Sequence, residues 1–344
     1  MASQFFTRIF VFSAVAIALF VTTPCASAGK EESHIQWKLA CLAPKDVGYA
    51  VRVREILIPE VEKATGGALS VKVYWGGVMG NDEETLKKMR IGQLHGSGLS
   101  GEGTFKLADD ISVLGLPFLF ESYDEVDYLR EQMTDEFDAI VEAQGLKLLT
   151  WLDQDFDQIY TASRPIFVLE DFSKSSFITW FGPLEGKLLE TMGATATPMS
   201  VMEIPSSLRS NIADGVIAPA IWVLGTQLYA TMHNVNAMHI RYVPAFPVVT
   251  QKAWDMLSDE QKETIQRERG GWTNTFNALS RQDTKKCLEA MIKYGMVLTE
   301  TPPGELRRIQ DRARGIWEPL AGELYSREIY DQVQAHLKEY RAGN

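Results

Sequence analysis

Two hydrophobic rhythms alternate along the chain. Ile35-Gln36-Trp37-Lys38-Leu39-Ala40 and Leu69-Ser70-Val71-Lys72-Val73-Tyr74 place apolar side chains at every second position, the period of a half-covered strand. Between them Val53, Leu57, Val61 and Ala64 recur at helical spacing across residues 48–64, a segment weakened by Pro59 and ended by Gly66-Gly67. Residues 82–93 predict a second helix with Leu86, Met89 and Arg90 on one side. Residues 115–120 form a compact apolar stretch, and Ser122 then caps an acidic first turn ahead of Val126 and Leu129.

The alternation persists. Residues 146–151 and 177–181 predict strands, and 183–192 a helix with Leu184, Leu188 and Met192 on one face. Residues 206–212 predict a short helix closed by Asp214-Gly215, and 216–220 a short buried strand. Residues 254–269, 273–294 and 306–340 read as mostly helical, with Pro302-Pro303 and Pro319 as interruptions. Strands alternating with helices predict an α/β protein with a helical C-terminal third.

The first residues follow neither rhythm. Arg8 and the α-amine precede an apolar run from Ile9 to Val21, and Ala26-Ser27-Ala28 fits a small-x-small cleavage site. This predicts a secretory signal peptide over residues 1–28 and export to the periplasm, since a membrane span needs about 20 apolar residues. Cys25 lies within that piece; lipid attachment is the alternative, against which stands the Thr-Thr-Pro before it. Cys41 and Cys287 remain, either paired or as two buried thiols.

Composition adds exclusions. With 45 acidic and 34 basic side chains in 344 residues, the formal charge of -11 disfavours nucleic-acid partners, and the length suits two packed lobes. No nucleophile elbow, zinc-protease motif, phosphate loop or dinucleotide fingerprint occurs, so no catalytic residue, cofactor or metal is assigned. The Gly96-x-Gly98-x-x-Gly101-x-Gly103 run reads as tight turns or backbone close to a ligand rather than a dinucleotide loop. His233 and His239 read as surface or core-edge residues rather than metal ligands. Asp153-Gln154-Asp155-Phe156-Asp157 reads as a solvated loop, with a cation site as the alternative. The aromatics Trp151, Phe156, Trp180, Phe181 and Trp222 fall at or just after predicted strand ends, where α/β sheets form ligand crevices.

Leu69 to Gly80 (LSVKVYWGGVMG) and Val113 to Phe120 (VLGLPFLF) resemble the solute-binding subunits of tripartite ATP-independent periplasmic (TRAP) transporters, the DctP-like family. The likeness continues in order through Arg164-Pro165, Leu169-Glu170-Asp171, residues 193–199, residues 203–215 (EIPSSLRSNIADG) and Trp254-Asp255-Met256-Leu257-Ser258. It implies a periplasmic-binding-protein-like α/β fold, two lobes joined by crossing strands and braced by a long C-terminal helix, closing on a ligand. The lobes are expected as residues 29–156 with 245–284, and residues 157–244 with 285–344, the second carrying the brace. The implied partners are a small-molecule ligand and the membrane permease subunits, without covalent chemistry.

The chain departs from the family pattern where that pattern grips a carboxylate. The family arginine after the Glu-Asp pair falls at about Ile178 or Thr179, and a second falls in the acidic 153–158 stretch. The polar pair usual after the Asp-Gly turn is Ile217-Ala218, followed by the matching Pro219. The expected ligand is therefore apolar or neutral, such as a lipid-like molecule, bound by Tyr74, Trp75, Trp151, Phe156, Ile178, Trp180, Phe181, Ile217, Ala218 and Trp222. Divergent members similar in this respect work with a periplasmic tetratricopeptide-repeat partner. The alternatives are an organic-acid receptor that recruits Arg90, Arg164, Arg209 or Arg241; an amine caged by Trp residues with Asp153 or Asp157; a periplasmic adaptor; and an exported hydrolase.

Overall fold

A computed structural model describes residues 34–343, so the signal-peptide reading of residues 1–28 lies outside the described residues. Among the described residues ten strands share one sheet: β1 (Ile35–Cys41), β2 (Leu69–Tyr74), β3 (Gly96–Ser100), β4 (Leu146–Leu148), β5 (Leu152–Thr161), β6 (Ser176–Thr179), β7 (Thr195–Pro198), β8 (Gly215–Ala218), β9 (Asn234–Thr250) and β10 (Val297–Thr299). The strand order is β2-β1-β3-β9-β5-β8-β6-β7, with β4 and β10 also on β9. β1 runs parallel to β2 and β3, and β6 runs parallel to β7 and β8. The two parallel groups are joined by β5 and β9, antiparallel to each other and to the neighbours they bridge. This is the expected α/β architecture of two lobes connected by crossing strands.

The first helical segment solves the Pro59 problem locally. It runs as an α-helix over Tyr49–Arg52, widens into a π turn over Val53–Leu57, and resumes as an α-helix over Ile58–Ala64. A proline cannot donate to the carbonyl one turn back, and a wider turn just before it shifts the bonding register. Further on, Asn81 and Glu84 form a reciprocal capping box that starts the helix Asp82–Arg90. Leu86 and Met89 are buried on its inner face, whereas Arg90 is exposed.

Several expectations change. The 146–151 strand is cut to β4, because Leu149 to Trp151 leave the ladder before β5 begins. The acidic 153–157 stretch is not a solvated loop but part of β5, every residue of which is buried. The strand survives because arginines reach its carboxylates: Asp153 meets Arg130 and Arg281, and Asp157 meets Arg241. The glycine run does not form a string of turns: Gly96 to Ser100 are β3, and a Cβ at Gly96 would lie 2.2 Å from the Val248 carbonyl oxygen. Only Gly101, at φ 54°, makes the turn. Residues 259–293 form one helix, Asp259–Lys293, straight through Gly270-Gly271, rather than two.

Two hydrophobic clusters anchor these layers. The larger runs from the Gly115–Phe120 stretch through Phe137, Trp151, Phe177 and Phe246; the smaller packs Trp37, Leu69, Trp254, Trp272 and Phe276. The long helix Asp259–Lys293 packs on β5, on the helical segment Tyr49–Ala64 and on the helix Ala220–Gly225. It is held by Arg281 to Asp127 at 2.6 Å and by its Asp283 to Arg52 at 2.7 Å.

Candidate functional site

Parallel strands leave their carboxyl ends free to line a crevice. Here the segments following β1 and β2, the turn after β3, the residues after β6, β7 and β8, and part of β5 line one cavity of about 810 Å³. Its walls are mainly apolar: Leu42, Val47 and Val53 from one side, Met199, Val201 and Ile221 from the other. Glycines bring the walls into contact. A Cβ at Gly48 would lie 3.0 Å from Ile221, one at Gly225 3.1 Å from Val47, and one at Gly77 2.9 Å from Met202.

Trp180 and Trp222 line this cavity, their rings stacked with centroids 6.2 Å apart and planes 17° off parallel. The Trp180 indole N–H donates to the Ile217 carbonyl at 2.7 Å, and the ring lies over Gly101, where a Cβ would come within 2.5 Å. Tyr49 also lines the cavity and donates its hydroxyl to the Gln154 carbonyl, at the β5 bulge.

The other expected aromatics lie elsewhere. Trp151 is in the core against Phe137 and Phe246, its N–H donating to Tyr242 at 3.0 Å. Phe156 is buried between Tyr123 and His239. Ile178, Phe181, Ile217 and Ala218 are fully covered and do not line the cavity, while Tyr74 and Trp75 at the end of β2 are half-buried outside it. Of the expected strand-end residues, Trp180 and Trp222 line this cavity, and burial behind Trp180 removes its neighbours from the wall. The sequence reading missed Tyr49, Met199, Val201, Ile221 and Phe276; Tyr49 and Ile221 carry no signal beyond a helical period.

The charges near the site are bound internally. Asp153 accepts from Tyr242 at 2.6 Å and from Arg281 at 2.7 Å, with Arg130 on the same carboxylate. Asp155 accepts from Tyr123, and burial pushes its carboxyl up to about 7. Arg241, from β9, binds Asp157 at 2.7 Å and Glu185 at 3.1 Å, and its guanidinium lies 3.7 Å from the Phe181 ring centroid. It is therefore behind Trp180 and not in the cavity. Arg90, Arg164 and Arg209 are exposed outside it. Among the described residues no arginine lines the cavity, and its one lysine, Lys106, is shared by Glu102 at 3.4 Å and Glu83 at 3.6 Å.

No group of three or more His, Cys, Asp or Glu among the described residues is placed to hold a metal ion. His239 stacks on Phe156. Cys41, beside the cavity, and Cys287 are free thiols, so the paired alternative does not form. Asp153 and Asp157, the carboxylates expected to cage an amine, are instead engaged by arginines.

Residues 54–324 match the model of the bacterial extracellular solute-binding proteins, family 7, known as DctP. The chain belongs to that family. It is thus a solute-binding receptor of the TRAP transporter class, which delivers small molecules to membrane permease subunits, and not an enzyme. This DctP-family chain is 22% identical over 326 residues to the C4-dicarboxylate-binding periplasmic protein DctP of Rhodobacter capsulatus, covering 94% of this chain and 92% of the relative. Its fold matches a TRAP periplasmic solute-binding protein from Ochrobactrum anthropi whose C-terminus is bound in the ligand-binding pocket, at TM-score 0.80 and 25% identity, over 91% of this chain and 98% of that one. It also matches the sugar-acid-binding DctP protein of Advenella mimigardefordensis in complex with galactonate, at TM-score 0.82 and 20% identity, over 88% and 98% of the two chains. Among the described residues of the DctP-family chain no helix is long and apolar enough to cross a membrane.

Proposed function

We propose that this receptor captures an apolar or neutral, lipid-like ligand in the cavity between the two parallel strand groups. The observation that carries this is the absence, among the described residues, of a free cation from the wall: Lys106 is neutralised by Glu83 and Glu102, and Arg241 is engaged by Asp157 and Glu185 behind Trp180. The two relatives named by their ligands bind a C4-dicarboxylate and galactonate, which are acids. A buried carboxylate without a partner costs several kcal/mol. Covering ~200 Å² of apolar ligand surface contributes about 5 kcal/mol at ~25 cal/mol per Å².

Under this reading the protein is exported to the periplasm, loses residues 1–28, and hands its cargo to TRAP permease subunits, with a periplasmic tetratricopeptide-repeat protein as the intermediate acceptor. The lobes are residues 29–156 with 245–284 and residues 157–244 with 285–344; two of the three divisions fall inside β5 and β9, the strands shared by the halves, and the third inside the helix Asp259–Lys293. Calorimetric titration of the ligand-stripped protein with dodecanol, succinate and galactonate tests the reading. Saturable binding of dodecanol with no heat from either acid is expected. Tight binding of succinate or galactonate would overturn it.

A further inference from the structure

Of the buried side-chain nitrogen and oxygen atoms that lack a hydrogen-bond partner among the described residues, only Gln154 Oε1 belongs to a residue lining the cavity. Gln154 is 8% exposed and has no place in the ladder: β9 pairs Pro244 with Asp153 and Val243 with Asp155, so Gln154 is the extra residue of a bulge. A bulge of this kind re-aims a side chain. Tyr49 holds the backbone there by donating its hydroxyl to the Gln154 carbonyl, and Asp155, at φ 151°, returns the chain to the ladder. The neighbouring wall offers the amide no donor. Leu152 and Ala245, paired two residues back along β5, are apolar, and the Asp153 carboxylate is taken by Tyr242, Arg130 and Arg281.

A buried amide oxygen without a donor carries a free-energy cost that a bound molecule removes by supplying one. Resting on the apolar-or-neutral reading above, we infer that Gln154 selects the polar end of the ligand and that this end is an uncharged hydroxyl on an apolar body. The hydroxyl donates to Gln154 Oε1. It brings one donor to one orphaned acceptor, whereas a carboxylate brings none, and an ammonium or a primary amide brings an excess that mainly apolar walls leave unpaired. Gln154 thus determines specificity, while the apolar walls supply the bulk of the affinity.

Two probes with one chain length separate the contributions: dodecanol and its methyl ether, which keeps the oxygen and loses the donor. Each is titrated below its solubility limit into the stripped full-length protein and its Gln154→Met variant, a replacement of similar length without the amide. Tryptophan fluorescence reads binding, and a thermal melt confirms that the variant is folded. The ether is the more apolar probe, so partitioning alone favours it. The wild type is expected to prefer dodecanol by about tenfold, and Gln154→Met to lose or reverse that preference. Ether binding as tight as dodecanol binding in the wild type, or an alcohol preference that survives in the variant, overturns the role of Gln154 and leaves the apolar reading standing. Failure of both probes to bind overturns the apolar reading and this inference with it. Should Gln154→Met not fold, the wild-type alcohol-to-ether ratio alone decides.

Discussion

Arg241 Nε lies 2.7 Å from Asp157 Oδ2, and both side chains are completely buried. The pair joins adjacent positions on β9 and β5, and Glu185 closes it from the helix Pro183–Met192. Its function is to neutralise charge behind the Trp180 wall rather than to meet a ligand. Arg241→Met leaves two carboxylates without their cation, so a loss of about 3 kcal/mol at pH 8 is expected from urea unfolding. Apolar-ligand affinity measured on the folded fraction should be retained. A variant as stable as the wild type, or one selectively unable to bind, would contradict this assignment.

Stability should fall as pH rises from 5 to 8. Burial is the leading cause that pushes the carboxyls of Asp82, Asp155 and Asp157 each up to about 7. In the unfolded chain such groups titrate near about 3.9, so between the two values the native state binds more protons. That contribution is complete below the unfolded pKa and is lost as pH climbs through the folded one. Urea midpoints at pH 5 and 8 read the sign, and a higher midpoint at pH 8 would refute it.

The two cavity tryptophans should separate binding from folding. Trp180 is 6% exposed, hydrogen-bonded to Ile217, and packed on Gly101 and Phe181, so Trp180→Ala should cost about 3–5 kcal/mol of stability. Trp222 is only half-buried, and Trp222→Ala should weaken dodecanol binding about tenfold, equivalent to about 1.4 kcal/mol, with a much smaller loss of stability. Titration and melting of both variants check the contrast; equal effects on both readouts would remove it.

Gly101 is required twice over, by its φ of 54° and by the 2.5 Å that would separate its Cβ from Trp180. Gly101→Ala should therefore displace the indole into the cavity, at a backbone cost of about 1–3 kcal/mol. A shifted tryptophan emission maximum and weaker dodecanol binding are expected. Unchanged emission with unchanged affinity would show that Trp180 is not held there.

Legibility in the sequence followed the strength of each local period. β1, β2 and the helix Pro183–Met192 read directly, because one face of each is apolar at a regular spacing, and β6 read as a short continuous apolar run. β9 did not, since Pro244, Pro247 and a bulge opposite Gln158 interrupt a strand that the sheet nevertheless holds on both edges. β5 was misread because its carboxylates look solvated until Arg130, Arg241 and Arg281 arrive from 23, 84 and 128 residues away. The crevice was legible through Trp180 and Trp222, whereas the rest of its wall depends on which side chains the two halves turn toward each other.

The central claim, that this receptor's cavity is built for an apolar body rather than a small acid, is tested most directly by what the protein carries. Protein purified without denaturant, then unfolded in organic solvent, should release its ligand for mass spectrometry. A stoichiometric lipid-like molecule, reduced in the Trp222→Ala preparation, is the result predicted here. Release of a small dicarboxylate or sugar acid in stoichiometric amount would contradict it.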